Sequence, residues 1–215
     1  MTPPRFRPEA ELRLLHADDA ILVVDKPCGL LSVPAKPPGP QDCVEARLRA
    51  AYPETRLVHR LDLETSGVMV FARTPLAQRH LGWQFERRQL SKTYVTRVAG
   101  HVEGEFGCID LPLKADWPNR PRQMVTPEGK PCLTEWEVAD REPAATRLLL
   151  TPLTGRSHQL RVHLATIGHP ILGDPLYATP GAFAAATRLQ LHAATLAFRH
   201  PDGGGWVSFE SPVPF

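Results

Sequence analysis

Nine consecutive residues, His59-Arg60-Leu61-Asp62-Leu63-Glu64-Thr65-Ser66-Gly67, combine a carboxylate, two basic side chains and a small-residue turn. The apolar run Val68-Met69-Val70-Phe71-Ala72 follows at once and reads as a strand. A carboxylate that serves as nucleophile or base needs this setting: a rigid strand to hold it, a tight turn to present it and a cation to favour its anion. Asp62 is therefore the first candidate for chemistry. Arg60 stands two positions earlier, so on an extended chain both side chains project to the same face. The plainer alternative is a turn capped by Asp62 and Thr65 ahead of a core strand.

Two other groups of residues invite a chemical reading. His158 and His163 are five positions apart in a helical pattern, roughly 140° off a common face, which is poor spacing for one metal ion. Cys28, Cys43, Cys108 and Cys132 are scattered without a CxxC pair, so neither a zinc site nor a disulfide framework is expected. Instead, His59, His158 and His163 read as hydrogen-bonded parts of the fold. The segment Lys114 to Gln123 mixes Trp117, Arg120 and Arg122 with two prolines. Stiff, basic and aromatic, it suits phosphate and base contacts to a folded RNA.

The elements that hold these residues follow from pattern and punctuation. Leu12 to Leu15 and Ile21 to Val24 read as strands joined by a turn at Asp18-Asp19, and Lys26-Pro27-Cys28-Gly29 ends the second. Val44, Leu48 and Ala51 recur at helical spacing over Asp42 to Tyr52, with Asp42 as N-cap and Glu45 completing a capping box. Thr74-Pro75 opens a helix to about Leu90 whose buried side is Leu76, Leu81 and Phe85. Lys92 to Val98 alternates like a half-buried strand. Further strands are expected at 134–138, 146–151, 189–196 and 206–209. His158 to Ile167 reads as a helix with Leu160, Leu164 and Ile167 on one side, followed by a Pro/Gly-rich stretch over 168–181. Turns too short for regular crossover helices make the expected class α+β with a mostly antiparallel sheet.

Residues 1 to about 10, with Pro3, Pro4 and Pro8, read as a flexible lead-in, and residues 11–215 as one domain. A chain of 215 residues is long enough to bury a real core. Its longest apolar runs are far too short to cross a bilayer and its start has no apolar signal segment, so a cytoplasmic protein is expected. The net charge of +2 does not by itself announce a nucleic-acid partner. Local clusters do leave room for one: Arg87, Arg88 and Lys92, then Lys114, Arg120, Arg122 and Lys130.

Read as HRLDxxTSGxxxxA, the Asp62 stretch resembles the signature of the RluA-type pseudouridine synthases, with Asp62 on that family's catalytic aspartate. The resemblance continues through Lys92-Thr93-Tyr94, similar to its KxY segment, and through Thr154 to His163, similar to its TGRxHQLRVH helix. His169 to Tyr177 looks like its HPIxGDxxY segment. It thus covers about residues 15 to 211. Asp116 to Gln123 and Leu30 to Pro34 resemble the short branch of that family without an S4 RNA-binding domain; about ten residues precede the first strand here. Glu64 and Ala178 depart from the family pattern at positions not expected to do chemistry.

The resemblance implies a pseudouridine synthase fold with a central catalytic cleft. It implies an isomerase that modifies uridine in structured RNA, here a tRNA anticodon stem-loop and a hairpin loop of 23S ribosomal RNA. The reaction breaks the N1–C1′ bond, turns the base and rejoins it through C5, so no redox cofactor, nucleotide or metal is required. Asp62 would engage the sugar or base at C1′, the 2′-hydrogen or C6. Arg161 would pair with it, and Tyr94 would stack on the flipped uracil and could take the C5 proton. Leu160 would wall the pocket, and Arg60 would either fill the space left by the base or act as a second countercharge. His59, Trp117, Arg120 and Arg122 complete the expected RNA-binding set. A monomer is expected. A binding-only RNA module has no need of Asp62, Tyr94 and Arg161 together, and a sugar hydrolase usually needs two acidic residues where this motif offers one clear candidate.

Overall fold

Seven consecutive buried residues, Ser66–Ala72, form the strand around which the first part of the chain is organised. The computed structural model describes residues 11–215, so the expected lead-in over 1–10 lies outside the described residues. In chain order the elements are β1 Arg13–Ala17, β2 Ile21–Lys26, α1 Val44–Ala51, β3 Arg56–Leu57, β4 Ser66–Ala72, α2 Pro75–Arg87 and β5 Ser91–Ala99. They continue with β6 Phe106–Asp110, β7 Leu113–Ala115, a short 3-10 turn Trp117–Asn119, β8 Gln123–Val125, β9 Leu133–Glu142 and β10 Ala145–Pro152. The remainder is α3 Gln159–Thr166, α4 Pro180–Ala184, β11 Leu191–Arg199 and β12 Trp206–Glu210. The chain divides into two compact units, one ending at Lys92 and resumed by His192–Pro214, the other Thr93–Leu191 with Phe215.

In the first unit β1 pairs with β2, β2 with β4, β4 with β11 and β11 with β12, while β3 lies against the end of β4. Strands buried on both faces need continuous apolar runs, and β2 and β4 supply them. β4 and β11 form a parallel contact at His192–Ser66 and Ala193–Gly67, and the other pairings are antiparallel. This close approach explains Gly67: its φ is +115°, and a Cβ there would lie 2.2 Å from the Ala193 carbonyl oxygen. Helix α2 starts where expected, with the Thr74 hydroxyl accepting from the Ala77 N–H at 3.1 Å and Pro75 in the first turn. It contributes Ala77 and Leu81 to a core with Ile21, Val23, Val68, Val70 and Phe198.

In the second unit β5, β10, β9 and β6 form an antiparallel run in that order, and β7 and β8 make a separate hairpin. Val98, Leu148, Leu150, Leu160, Leu164 and Ile171 form its main core. Helix α3 is buried along six consecutive residues, Gln159–Leu164, so its polar side chains must find partners inside the protein.

The α+β class and the mostly antiparallel pairing are as expected from the sequence. Local details differ. α1 starts one residue later than expected, capped by the Cys43 sulfur accepting from the Ala46 N–H, because Asp42 is drawn into a bidentate pair with Arg47. Leu76, expected on the buried face of α2, is exposed; the buried positions of α2 are Ala77, Leu81 and Gln84. Strands β3 and β6, the β7–β8 hairpin and α4 were not expected, since each is too short to carry a periodic signal. None of the four cysteines forms a disulfide, as expected; Cys43 and Cys132 are buried and Cys108 is exposed. Among the described residues no helix is long and apolar enough to cross a membrane.

Candidate active site

Asp62 sits half-buried in the turn before β4, closed by the Thr65 N–H donating to the Asp62 carbonyl at 3.1 Å. The turn is clamped on both sides of the aspartate. On one side the Ser32 hydroxyl donates to the Leu61 carbonyl at 2.7 Å and accepts from the Leu61 N–H at 3.1 Å. On the other, the Leu63 carbonyl accepts from the Gly29 N–H at 2.9 Å and from the Lys26 ammonium at 3.0 Å.

Lys26 is fully buried, and its ammonium also donates to the Pro27 and Leu30 carbonyls at 2.9 and 2.7 Å. A buried ammonium is costly unless its donors are satisfied, and these three carbonyls accept from it. In the sequence, Lys26-Pro27-Cys28-Gly29 reads only as a strand breaker. The signal available was a lysine ending an otherwise apolar strand. Beside it, the Cys28 thiol donates to the Glu64 carboxylate at 3.3 Å, which gives the departing Glu64 a local partner.

His59 is held as a neutral ring. Its Nε2 accepts from the Val70 N–H at 3.1 Å and the ring stacks on Phe85 with centroids 4.5 Å apart. Burial, reinforced by the charge of Lys92, pushes its pKa down to about 3. Burial and the neighbouring Arg88 push Lys92 down to about 8. Arg60, next in the chain, is exposed.

The second unit carries Tyr94 on β5, opposite Leu150 of β10, with its half-buried ring against the core that includes Leu160. Arg161 of α3 is almost wholly buried. Its Nε and Nη2 donate to the two oxygens of Asp174, both at 2.7 Å, and its guanidinium lies 5.3 Å from the centre of the Tyr177 ring. Asp174 is fixed in turn: its Oδ1 accepts the backbone N–H of Leu176 at 2.8 Å and of Tyr177 at 3.1 Å. The preceding Gly173, at φ +73°, packs so closely that a Cβ would lie 2.0 Å from the Arg188 carbonyl oxygen. Neither Asp174 nor Tyr177 stood out individually as a site residue in the sequence. Their signal was the motif segment His169 to Tyr177 and the need for a partner to a buried arginine.

The histidines of α3 serve the fold. His163 bonds the Thr134 hydroxyl at 3.0 Å and the Leu111 carbonyl at 2.9 Å, and burial lowers its pKa. His158, at φ +54°, places its Nδ1 2.7 Å from the Tyr177 hydroxyl. No cluster of three His, Cys, Asp or Glu side chains suited to a metal occurs among the described residues.

The segment Lys114 to Gln123 forms the tip of the β7–β8 hairpin. It is closed by the Asp116 N–H donating to the Arg122 carbonyl and by the Asn119 amide donating to the Asp116 carboxylate. Trp117 is 64% exposed, and the Arg120 guanidinium lies over its indole, 3.2 Å from the ring centroid. An exposed indole and a guanidinium held together offer a stacking surface with a charge beside it.

Residues 20–166 match the family model described as RNA pseudouridylate synthase. The chain is 50% identical over 215 residues to the dual-specificity RNA pseudouridine synthase RluA of Escherichia coli strain K12, covering 99% of this chain and 97% of that protein. It is 53% identical over 208 residues to the protein of that name from Vibrio vulnificus, covering 94% and 83%. Among solved structures, human RNA pseudouridylate synthase domain containing 1 superposes with a TM-score of 0.81 at 28% identity, covering all of this chain and 87% of that one.

Proposed function

This chain belongs to the RNA pseudouridylate synthase family and isomerises uridine to pseudouridine in RNA; from that premise we propose that it has two substrates, a tRNA anticodon stem-loop and a hairpin loop of 23S ribosomal RNA. The observation that carries the dual specificity is the identity of about half, over nearly the full length of both proteins, to relatives named for it. The exposed Trp117–Arg120 pair, with Arg122 close by, supports contact with such a loop through stacking and phosphate charge.

Asp62 is the carboxylate that engages the reacting nucleoside, and its doubly clamped turn is the rigid presentation such a group needs. Arg161 is its countercharge, held ready by Asp174. Tyr94 stacks on the extracted uracil and accepts the C5 proton, Leu160 contributes an apolar wall, and Arg60 occupies the space the base leaves. The enzyme works as a monomer in the cytoplasm, with no metal or cofactor.

Tritium release from C5-tritiated uridine in the two stem-loop transcripts tests this reading. Wild type is expected to release label from both and Asp62→Asn from neither, with RNA affinity kept within a few fold. Release from one transcript only would remove the dual specificity. Turnover by Asp62→Asn would remove Asp62 from its role.

A further inference from the structure

Tyr177 has no role in the reaction as proposed above, yet it touches both the β7–β8 hairpin and the buried arginine. Its hydroxyl accepts the N–H of Gln123, the first residue of β8, at 2.8 Å, and lies 2.7 Å from His158 Nδ1. One hydroxyl can accept the first bond and donate the second, so the two are compatible with a neutral His158. Its ring has two guanidiniums near it, Arg122 from the hairpin tip and Arg161 from α3, each 5.3 Å from the centroid. Its own N–H donates to the Asp174 oxygen that receives Arg161 Nη2. The ring also packs, as Val125 does, against the cluster of Leu113, Cys132 and Val162, which joins the base of the hairpin to α3.

We infer that Tyr177 is a positioning residue that couples the seating of the hairpin tip to the alignment of Arg161. The inference rests on the proposed contact between this hairpin and RNA. When RNA engages Trp117 and Arg120, any displacement of the tip moves Arg122 and the Gln123 N–H, and both bear on Tyr177. Tyr177 bears in turn on Arg161 and on the Asp174 carboxylate that aims it. Small displacements of a group that must meet a reacting centre are costly in rate, so correct seating of the loop is read out as turnover and not only as affinity.

Tyr177→Phe keeps the ring and deletes the two hydroxyl bonds. Single-turnover rates at saturating stem-loop RNA and dissociation constants are measured for wild type, Tyr177→Phe, Arg120→Ala and the double variant. The expected result is that Tyr177→Phe lowers the saturated rate about tenfold or more with affinity nearly unchanged. Arg120→Ala is expected to lower both affinity and saturated rate in the wild-type background, and affinity alone in the Tyr177→Phe background. A saturated rate unchanged by Tyr177→Phe, or rate losses that simply multiply in the double variant, would overturn the coupling. Arg120→Ala without effect on affinity would instead overturn the RNA contact of the hairpin, and the coupling with it. Arg122→Ala removes a surface contact with the same ring and tests the same link should Tyr177→Phe not fold. It is expected to depress the saturated rate, and a purely affinity-based loss would count against the coupling.

Discussion

Arg161 and Asp174 form a bidentate ion pair in which both side chains are essentially inaccessible to water. The pair spans thirteen positions of sequence and joins α3 to the turn within the His169 to Tyr177 segment. Two parallel charge-assisted hydrogen bonds fix the guanidinium plane as well as its place, which one contact to a lysine could not do.

Removing one member of this pair is expected to be expensive. Asp174→Ala leaves a buried guanidinium uncompensated and should cost about 3–5 kcal/mol of stability, measured by urea denaturation. Asp174→Asn should lower turnover more than RNA affinity, because it disturbs the aim of Arg161. A variant as stable and active as wild type would show that Arg161 needs no such partner.

Lys26 is expected to act on turnover through the backbone of the Asp62 turn. Lys26→Met keeps much of the side-chain volume but takes the ammonium donor from three carbonyls; Leu63 keeps the Gly29 N–H, whereas those of Pro27 and Leu30 would each cost about 1–3 kcal/mol if left unsatisfied. Denaturation should show the destabilisation. Single-turnover kinetics on the surviving folded enzyme should show a slower chemical step with RNA binding retained. Equal losses in rate and affinity would argue that Lys26 supports the fold without setting the turn.

Gly67→Ala combines a positive φ with a Cβ placed against the Ala193 carbonyl oxygen. The backbone cost alone is about 1–3 kcal/mol and the steric clash adds to it. A strongly lowered melting temperature is expected, together with loss of activity, because the β4–β11 contact starts at Ser66–Gly67, only four residues after Asp62 begins its turn.

His59 should give stability a pH dependence. Its pKa lies near 3 in the folded protein against 6.5 ordinarily, so the unfolded chain binds the proton more readily. The contribution is therefore complete above about pH 6.5 and is lost as pH falls toward about 3, at a limiting slope of about 1.4 kcal/mol per pH unit. Urea midpoints at pH 7 and 5 should differ in wild type and differ less in His59→Gln. Equal pH dependence in the two proteins would mean that other groups carry it.

The sequence by itself carried the family resemblance that implies the reaction class, indicated the α+β architecture and offered Asp62 as the candidate for the chemistry. It could do so because these signals are written locally: contiguous motif segments that carry the resemblance, a continuous apolar run for a doubly buried strand, and Thr-Pro at a helix start. It misjudged the cap of α1, since whether Asp42 caps a helix or pairs with Arg47 depends on which geometry the folded chain permits. It likewise misplaced Leu76, because helical spacing defines a stripe but not which stripe meets a neighbour. Only tertiary structure decided what surrounds the site. Lys26 meets Leu63 across thirty-seven positions, Arg161 meets Asp174 across thirteen, and Tyr177 meets Gln123 across fifty-four. A buried charge must be matched by whatever donors and acceptors the fold brings beside it, and no local pattern records where along the chain that partner lies.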